Sequence, residues 1–288
     1  MSIPNLTIIG ESINDSVPST HKFFEAQDIA SLKELAASQD AAGADYIDVN
    51  VGPRSGAFMA EMVQHVQSVT AKPLSIDTPD PELAEAGLRA YDRDRAGGRL
   101  PILNSISLLR LQMFQLTRIM PFLPILLATE RVEDGVGEPN HAAAEVYETA
   151  RQLVAEAARH GIPVDRCIID PGISPIGADS EQRFHCLMEA LRLIHADPDF
   201  KGAHMSVGLS NLTVMLPPKR PDGSPTRGPL ESAFLTLATP LGLDHVIASV
   251  KRKYELLPPD HPAMCCLNDC LQLEGFDVIA RVQSYYAD

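Results

Sequence analysis

The sequence predicts an α/β protein with the architecture of a (β/α)8 TIM barrel, a single domain over residues 1–288, and three observations carry the prediction. Short apolar runs alternate with amphipathic segments along the whole chain, the pattern of parallel strands joined by helices. Eight β-then-α units can be counted, and eight favour a closed barrel over an open doubly wound sheet. No break in composition is long enough to be a linker, and 288 residues lie within the range in which α/β barrels form one domain.

The elements follow in order. A strand-like run over 6–10 precedes a helical segment over about 25–42, where Ile29, Leu32, Leu35 and Ala36 fall at helical spacing and Gly43 stands as a stop. The strand at 46–51 precedes a helix with Met59, Met62, Val63 and Val66 on one face. After the strand at 73–77, Thr78-Pro79-Asp80-Pro81-Glu82 is a helix start, with proline in the first turn and acids at the positive end of the helix dipole. The strand at 102–106 leads into a Leu/Met-rich segment ending at Phe122. The strand at 124–128 precedes a helix over about 140–160, with Ala142, Val146, Ala150, Leu153 and Ala157 as its inner stripe. Strands at 167–170, 204–209 and 245–250 alternate with helices around 181–196 and 229–239, and terminal helices fill about 262–286.

Composition excludes some partners. A formal net charge of −14 opposes binding to nucleic acid and to anionic membranes. The amino-terminal segment lacks the charged-then-apolar order of a signal peptide, and no stretch reaches the roughly 18 apolar residues of a membrane span. Five cysteines without framework spacing fit a reducing compartment, so a cytoplasmic protein is expected. Cys265, Cys266 and Cys270 cluster but lack the pairing that completes a tetrahedral site, and read as thiols on a helix; no metal site is expected.

The strand ends carry the chemistry. In a (β/α)8 barrel the carboxyl ends of the strands build the site. Here the apolar runs end in Asp or Asn: Asn14, Asp48 and Asn50, Asp77, Asn104, Asp170 and Asn211. Packing does not account for a buried carboxylate, which must be hydrogen-bonded to be tolerated. Converging on one pocket, such groups would read a flat ring that is rich in N–H donors and carbonyl acceptors. A carboxylate accepts two N–H groups from a guanidine-like edge, and Asn both donates and accepts. Taken singly, Asp48 or Asp170 equally fits a helix cap, and Asn50 or Asn104 a turn.

Six segments occur in order: Gly10-Glu11-Ser12-Ile13-Asn14, Asp48-Val49-Asn50-Val51-Gly52-Pro53, Ser75-Ile76-Asp77-Thr78, Ile102-Leu103-Asn104-Ser105-Ile106-Ser107, Ile169-Asp170-Pro171 and Gly208-Leu209-Ser210-Asn211. Together they resemble the pterin-binding barrel family. Within it they are most similar to the methyltetrahydrofolate:corrinoid/iron-sulfur protein methyltransferases and the methyltransferase components of O-demethylase systems. The resemblance implies that Asp77, Asn104 and Asp170 read the pterin, that Asp48 and Asn50 shape the floor, and that Asn14 sits at the pocket edge. Gly208 and Ser210 would let the backbone and a hydroxyl approach the ring. Asn211 would hydrogen-bond N5, with Asp77 and Asp170 in the proton network. It also implies tetrahydrofolate or methyltetrahydrofolate as substrate, a corrinoid (cobalamin) carried by a separate partner protein, and a homodimer. The chain shows no corrinoid motif of its own.

One departure concerns the segment after Asn211. It reads Leu212-Thr213-Val214-Met215, where the family commonly has a Gln. The nearest rival is a dihydropteroate synthase, which shares the Asp77 and Asp170 segments. That family carries cations on its last two strands for a leaving pyrophosphate, whereas this chain has Leu209-Ser210-Asn211 and no terminal Arg-x-His. A folate-binding protein without turnover is the alternative from another class.

Overall fold

The computed structural model describes residues 3–287. Its centre is a closed barrel of parallel strands. They are β1 (Thr7–Asn14), β2 (Tyr46–Asn50), β3 (Leu74–Asp77), β4 (Ile102–Ile106), β5 (Leu123–Leu127), β8 (Ile168–Asp170), β9 (His204–Gly208) and β10 (His245–Ala248). Neighbours pair in chain order and β10 closes on β1, with Thr7 opposite His245. Around it lie α1 (Pro18–Glu25), α2 (Ile29–Ala41), α3 (Gly56–Gln67), α4 (Pro81–Ala90), α5 (Ala143–Arg159), α6 (Arg183–Ala196), α7 (Arg227–Ala238), α8 (Pro262–Cys270) and α9 (Phe276–Ala287). Between β4 and β5 the crossover is a 3-10 helix, Leu108–Arg118, kinked at Arg110.

Strand periodicity sorts the side chains. Ile47, Val49, Ile76, Leu103, Leu126, Ile169, Val207 and Val246 face outward into two apolar layers beneath the helices. Alternate residues point into the lumen. There Ile9, Ile102, Ile125 and Ile168 pack as one cluster with Tyr46, Leu123 and Ile247. Because successive side chains alternate, the lumen positions two residues further on are Glu11, Asp48, Asn104, Leu127 and Asp170. An apolar plug at the amino end and a polar layer at the carboxyl end are therefore one consequence of a two-residue period.

Local signals place the helices. Asp80 caps α4 by accepting from Glu82 N at 2.8 Å, with Pro81 as the first helical residue. The structure corrects one expectation. Ala142 is the exposed residue preceding α5, not part of its inner stripe; Val146, Ala150, Leu153 and Ala157 are buried. The segment before α5 forms an antiparallel hairpin, β6 (Glu130–Glu133) and β7 (Val136–Pro139). Its two-residue turn, Asp134-Gly135, has φ of 50° and 81°, as a primed turn demands. The hairpin seats on the 3-10 helix so closely that a Cβ at Gly137 would lie 2.6 Å from Leu109 Cδ1. Cys265, Cys266 and Cys270 all lie on α8, with Cys266 and Cys270 buried and Cys265 exposed.

At the opposite, amino-terminal rim, Asp244 clasps two strand starts. It accepts from His204 Nδ1 at 2.6 Å, His245 Nδ1 at 2.8 Å and Met205 N at 3.1 Å. Burial works against the charge of Asp244, but the two imidazoles outweigh it and hold its carboxyl well below the usual range. The same bond raises His204. A lowered carboxyl stabilises above its unfolded pKa of about 3.9 and loses that contribution as pH falls; a raised histidine stabilises below about 6.5 and loses it as pH rises through its folded value. The clasp should contribute most between these values. The melting temperature lost in Asp244→Asn, followed against pH, is expected to be largest near pH 5.5 and smaller at about pH 9 and pH 3. A loss independent of pH would refute the ionic reading. Among the described residues this His-Asp-His group is also the one whose ligand atoms approach within 4.8 Å of one another. It lies across the barrel from the polar layer.

Candidate pterin site at the carboxyl end of the barrel

The first group of site residues lies on β1 to β4. Asn14 and Asn50 are partners in register, as are Asp77 and Asn104. Asn50 Nδ2 donates to Asp77 Oδ2 at 2.9 Å, and its Oδ1 accepts from Gly52 N at 2.9 Å. The amide thus takes one orientation. Asn14 accepts from Ser16 N at 2.8 Å and is half-buried at the rim.

Asp48 differs from the others in depth. It is completely buried one lumen position below Asn50, and neither of its oxygens meets a hydrogen-bond geometry. Burial, then the Asp77 carboxyl beside it, pushes Asp48 well above the usual carboxylate range. Burial also raises Asp77, opposed by the Asn50 hydrogen bond. The two acids form a pair, and the deeper one is held further above the usual range than the outer one.

The second group lies on β8 and β9. Asp170, Gly208 and Asn211 line one cavity of about 480 Å³, with Leu127, Thr129 and Ile247 among its walls. Asp170 Oδ1 accepts from Gly172 N at 2.8 Å, and its other oxygen takes no hydrogen bond from the described residues. Burial pushes this carboxyl up to about 7. Asn211 follows β9 in a short 3-10 turn, Leu209–Thr213. A Cβ at Gly208 would lie 2.9 Å from Asn211 Nδ2, so glycine at 208 makes room for the amide.

All nine residues proposed for the pterin thus stand at the same end of the barrel, in two arcs. Ser210 is committed elsewhere: its hydroxyl donates to Glu11 Oε2 at 2.7 Å. Several participants escape sequence reasoning. Glu11 is raised chiefly by burial and shares the lumen with Asp48. Asn140, at the hairpin's end, lines the cavity and has a buried, unpartnered Oδ1. Arg183 also lines the cavity, but its guanidinium is engaged by Asn140 O, His141 Nδ1 and Glu181. A lone charged residue at a helix start gave no signal of this role.

Such a site suits a planar heterocycle. It offers ionisable acceptors at Asp77 and Asp170 and amides at Asn50, Asn104 and Asn211 at one end of the barrel, with the cavity itself walled by Asp170, Gly208 and Asn211 and not by the β1–β4 group. The orphaned Oδ1 of Asn140 and the open oxygen of Asp170 are acceptors in want of N–H donors.

Comparison with known proteins agrees with this chemistry. The sequence pattern of the pterin binding enzymes matches residues 12–249. A methylcorrinoid:tetrahydrofolate methyltransferase from Eubacterium limosum is 29% identical over 248 residues, covering 84% of each chain. Among solved structures, a Yersinia pestis dihydropteroate synthase bound to a pterine-sulfa conjugate superposes with a TM-score of 0.60 at 13% identity, covering 92% of each chain. The Thermus thermophilus synthase gives 0.57 at 19% identity, covering 87% of this chain and 90% of that one. At such identities the synthases speak for the barrel fold alone. The match over 12–249 decides the family: this chain is a member of the pterin-binding enzymes.

Proposed function

We propose that this protein moves a methyl group between N5 of tetrahydrofolate and the cobalt of a corrinoid held on a separate protein. The observation that carries the reading is Asn211, an amide at the mouth of the cavity lined by Asp170 and seated over Gly208. The name of the Eubacterium limosum relative pairs the same two substrates. Against a synthase, the turn after β9 is Leu209-Ser210-Asn211, and the one cavity-lining arginine is already engaged. A pyrophosphate there would lack its counter-charge.

The residues account for the chemical difficulty. A tertiary amine that loses a methyl leaves as an anion unless its nitrogen first gains a proton. With N5 protonated, the leaving group is a neutral amine and the methyl departs to the nucleophile. Asn211 is neutral and amphoteric in hydrogen bonding, so it can accept from a protonated N5 and donate to the free amine without itself exchanging a proton. Proton exchange falls to the acids. Asp170, titrating near 7, can give or take a proton at neutral pH, and the ionised member of the Asp48–Asp77 pair stabilises positive charge on the ring. The corrinoid supplies the nucleophilic or methyl-bearing cobalt when its carrier docks. Around the mouth, Leu109, Val132, Val136, Val214 and Met215 are exposed, and an apolar rim of this kind suits a carrier protein.

The test mixes the protein with methyltetrahydrofolate and a reduced corrinoid and follows the cobalt spectrum. Loss of the reduced form with gain of methylcobalt is expected. Pterin binding without transfer, even with a cognate corrinoid protein, would leave a folate-binding protein instead.

A further inference from the structure

Asn211 has no hydrogen bond to its amide from the described residues, yet its turn is fastened on both sides. Before it, Ser210 ties to Glu11 on β1. After it, Thr213 Oγ1 donates to Glu231 Oε1 at 2.5 Å. Glu231 stands in α7 among buried Leu230, Ala233, Phe234 and Leu235, and is itself completely buried. Arg252, in the segment after β10, pairs with the same oxygen. The second Glu231 oxygen and the Tyr254 hydroxyl are both buried without a hydrogen-bond partner.

A carboxylate in this setting is a poor choice for stability, since an apolar side chain of similar volume would pack with no desolvation penalty. It does not line the cavity, and neither does Thr213. What it does is link three carboxyl-end segments: the turn bearing Asn211, the start of α7 and the loop leaving β10. We propose that Glu231, acting through Thr213, is a positioning residue that fixes the Asn211 amide over Gly208 for the reacting nitrogen. The turn that bears Asn211 rests on these two anchors. A rotation of the amide by one rotamer would replace its carbonyl with its NH2 and lose the match to a protonated N5.

This inference rests on the methyl-transfer reading of Asn211, and the experiment separates the two. Thr213→Val keeps the shape and removes the hydroxyl; Thr213→Ser keeps the hydroxyl. The Val variant should transfer methyl about tenfold or more slowly with pterin affinity within about threefold, and the Ser variant should stay within about threefold of wild type in both. Glu231→Leu should slow transfer to a similar degree, and the double variant with Thr213→Val should be no slower than the worse single one. A second readout needs no turnover: the side-chain amide signal of Asn211 in 15N spectra of the pterin-bound protein, assigned with Asn211→Ala. It should shift or broaden in Thr213→Val and recover in Thr213→Ser. An unchanged rate and signal, or affinity and rate falling together by the same factor, would overturn the positioning role. If wild type moves no methyl, the methyl-transfer reading falls and the amide signal alone decides the link. If Thr213→Val does not fold, Thr213→Ala is read in the same way.

Discussion

Asn211→Ala is expected to slow methyl transfer by about 10²–10³-fold while pterin affinity changes only a few-fold and the melting temperature hardly at all. The magnitude is that of removing one hydrogen-bond partner from a developing charge. The selectivity follows from where Asn211 stands. It is exposed on a five-residue turn, contributes nothing to the apolar layers, and its side chain hydrogen-bonds no described residue. Truncating it therefore creates no cavity and orphans no buried group, the two routes by which a substitution destabilises. In the proposed reading ground-state affinity comes mainly from the acids and amides deeper in the barrel, so the loss is expected to fall on the rate. Single-turnover absorbance of the cobalt gives the rate and calorimetry the affinity. A rate within threefold of wild type would refute the assigned role and, with it, the observation on which the proposed function stands.

The barrel was legible because its signals are redundant. Each strand is an apolar run, and each of Asp77, Asn104 and Asp170 ends or nearly ends one, so a period of two places it in the lumen above an isoleucine or serine. That geometry needs no tertiary information. The hairpin of β6 and β7 was legible in principle, since Asp134-Gly135 between Val132 and Val136 is a primed-turn signal, but its strands are short and charged and carry no apolar alternation. What the sequence could not convey is pairing across elements. Nothing near Thr213 or Glu231 indicates that a buried carboxylate eighteen residues on will hold the turn. Asp48 and Asn50 look alike in sequence, yet one position of depth leaves the first completely buried and the second half-buried with its amide on Asp77. Likewise, the resemblance places the Ser210 hydroxyl at a ring, and only the structure shows that it donates to Glu11.

Asp170 should impose a pH dependence on pterin binding that Asp170→Asn removes. Burial raises its carboxyl to about 7, so it is largely neutral below that pH and charged above it. The charged form is the one that accepts two N–H groups from a pterin edge, with the Gly172 amide holding its other lone pair. Affinity should therefore rise as pH increases through 7, approaching tenfold per unit on the acid side and levelling above about pH 8. Asp170→Asn should weaken binding about 10–100-fold at pH 8, the worth of a charge-assisted hydrogen bond, and flatten the profile. The Asp48–Asp77 pair is also raised, and any slope that survives the substitution reports that pair. Stability should move the opposite way. A carboxyl whose folded pKa is raised destabilises the fold once pH exceeds its unfolded value, because folding then buries a charge. Asp170→Asn is thus expected to melt at a higher temperature than wild type at pH 8, with the difference shrinking toward pH 4. A variant that binds weakly and also melts lower at pH 8 would show that Asp170 holds the barrel together and does not read the ligand.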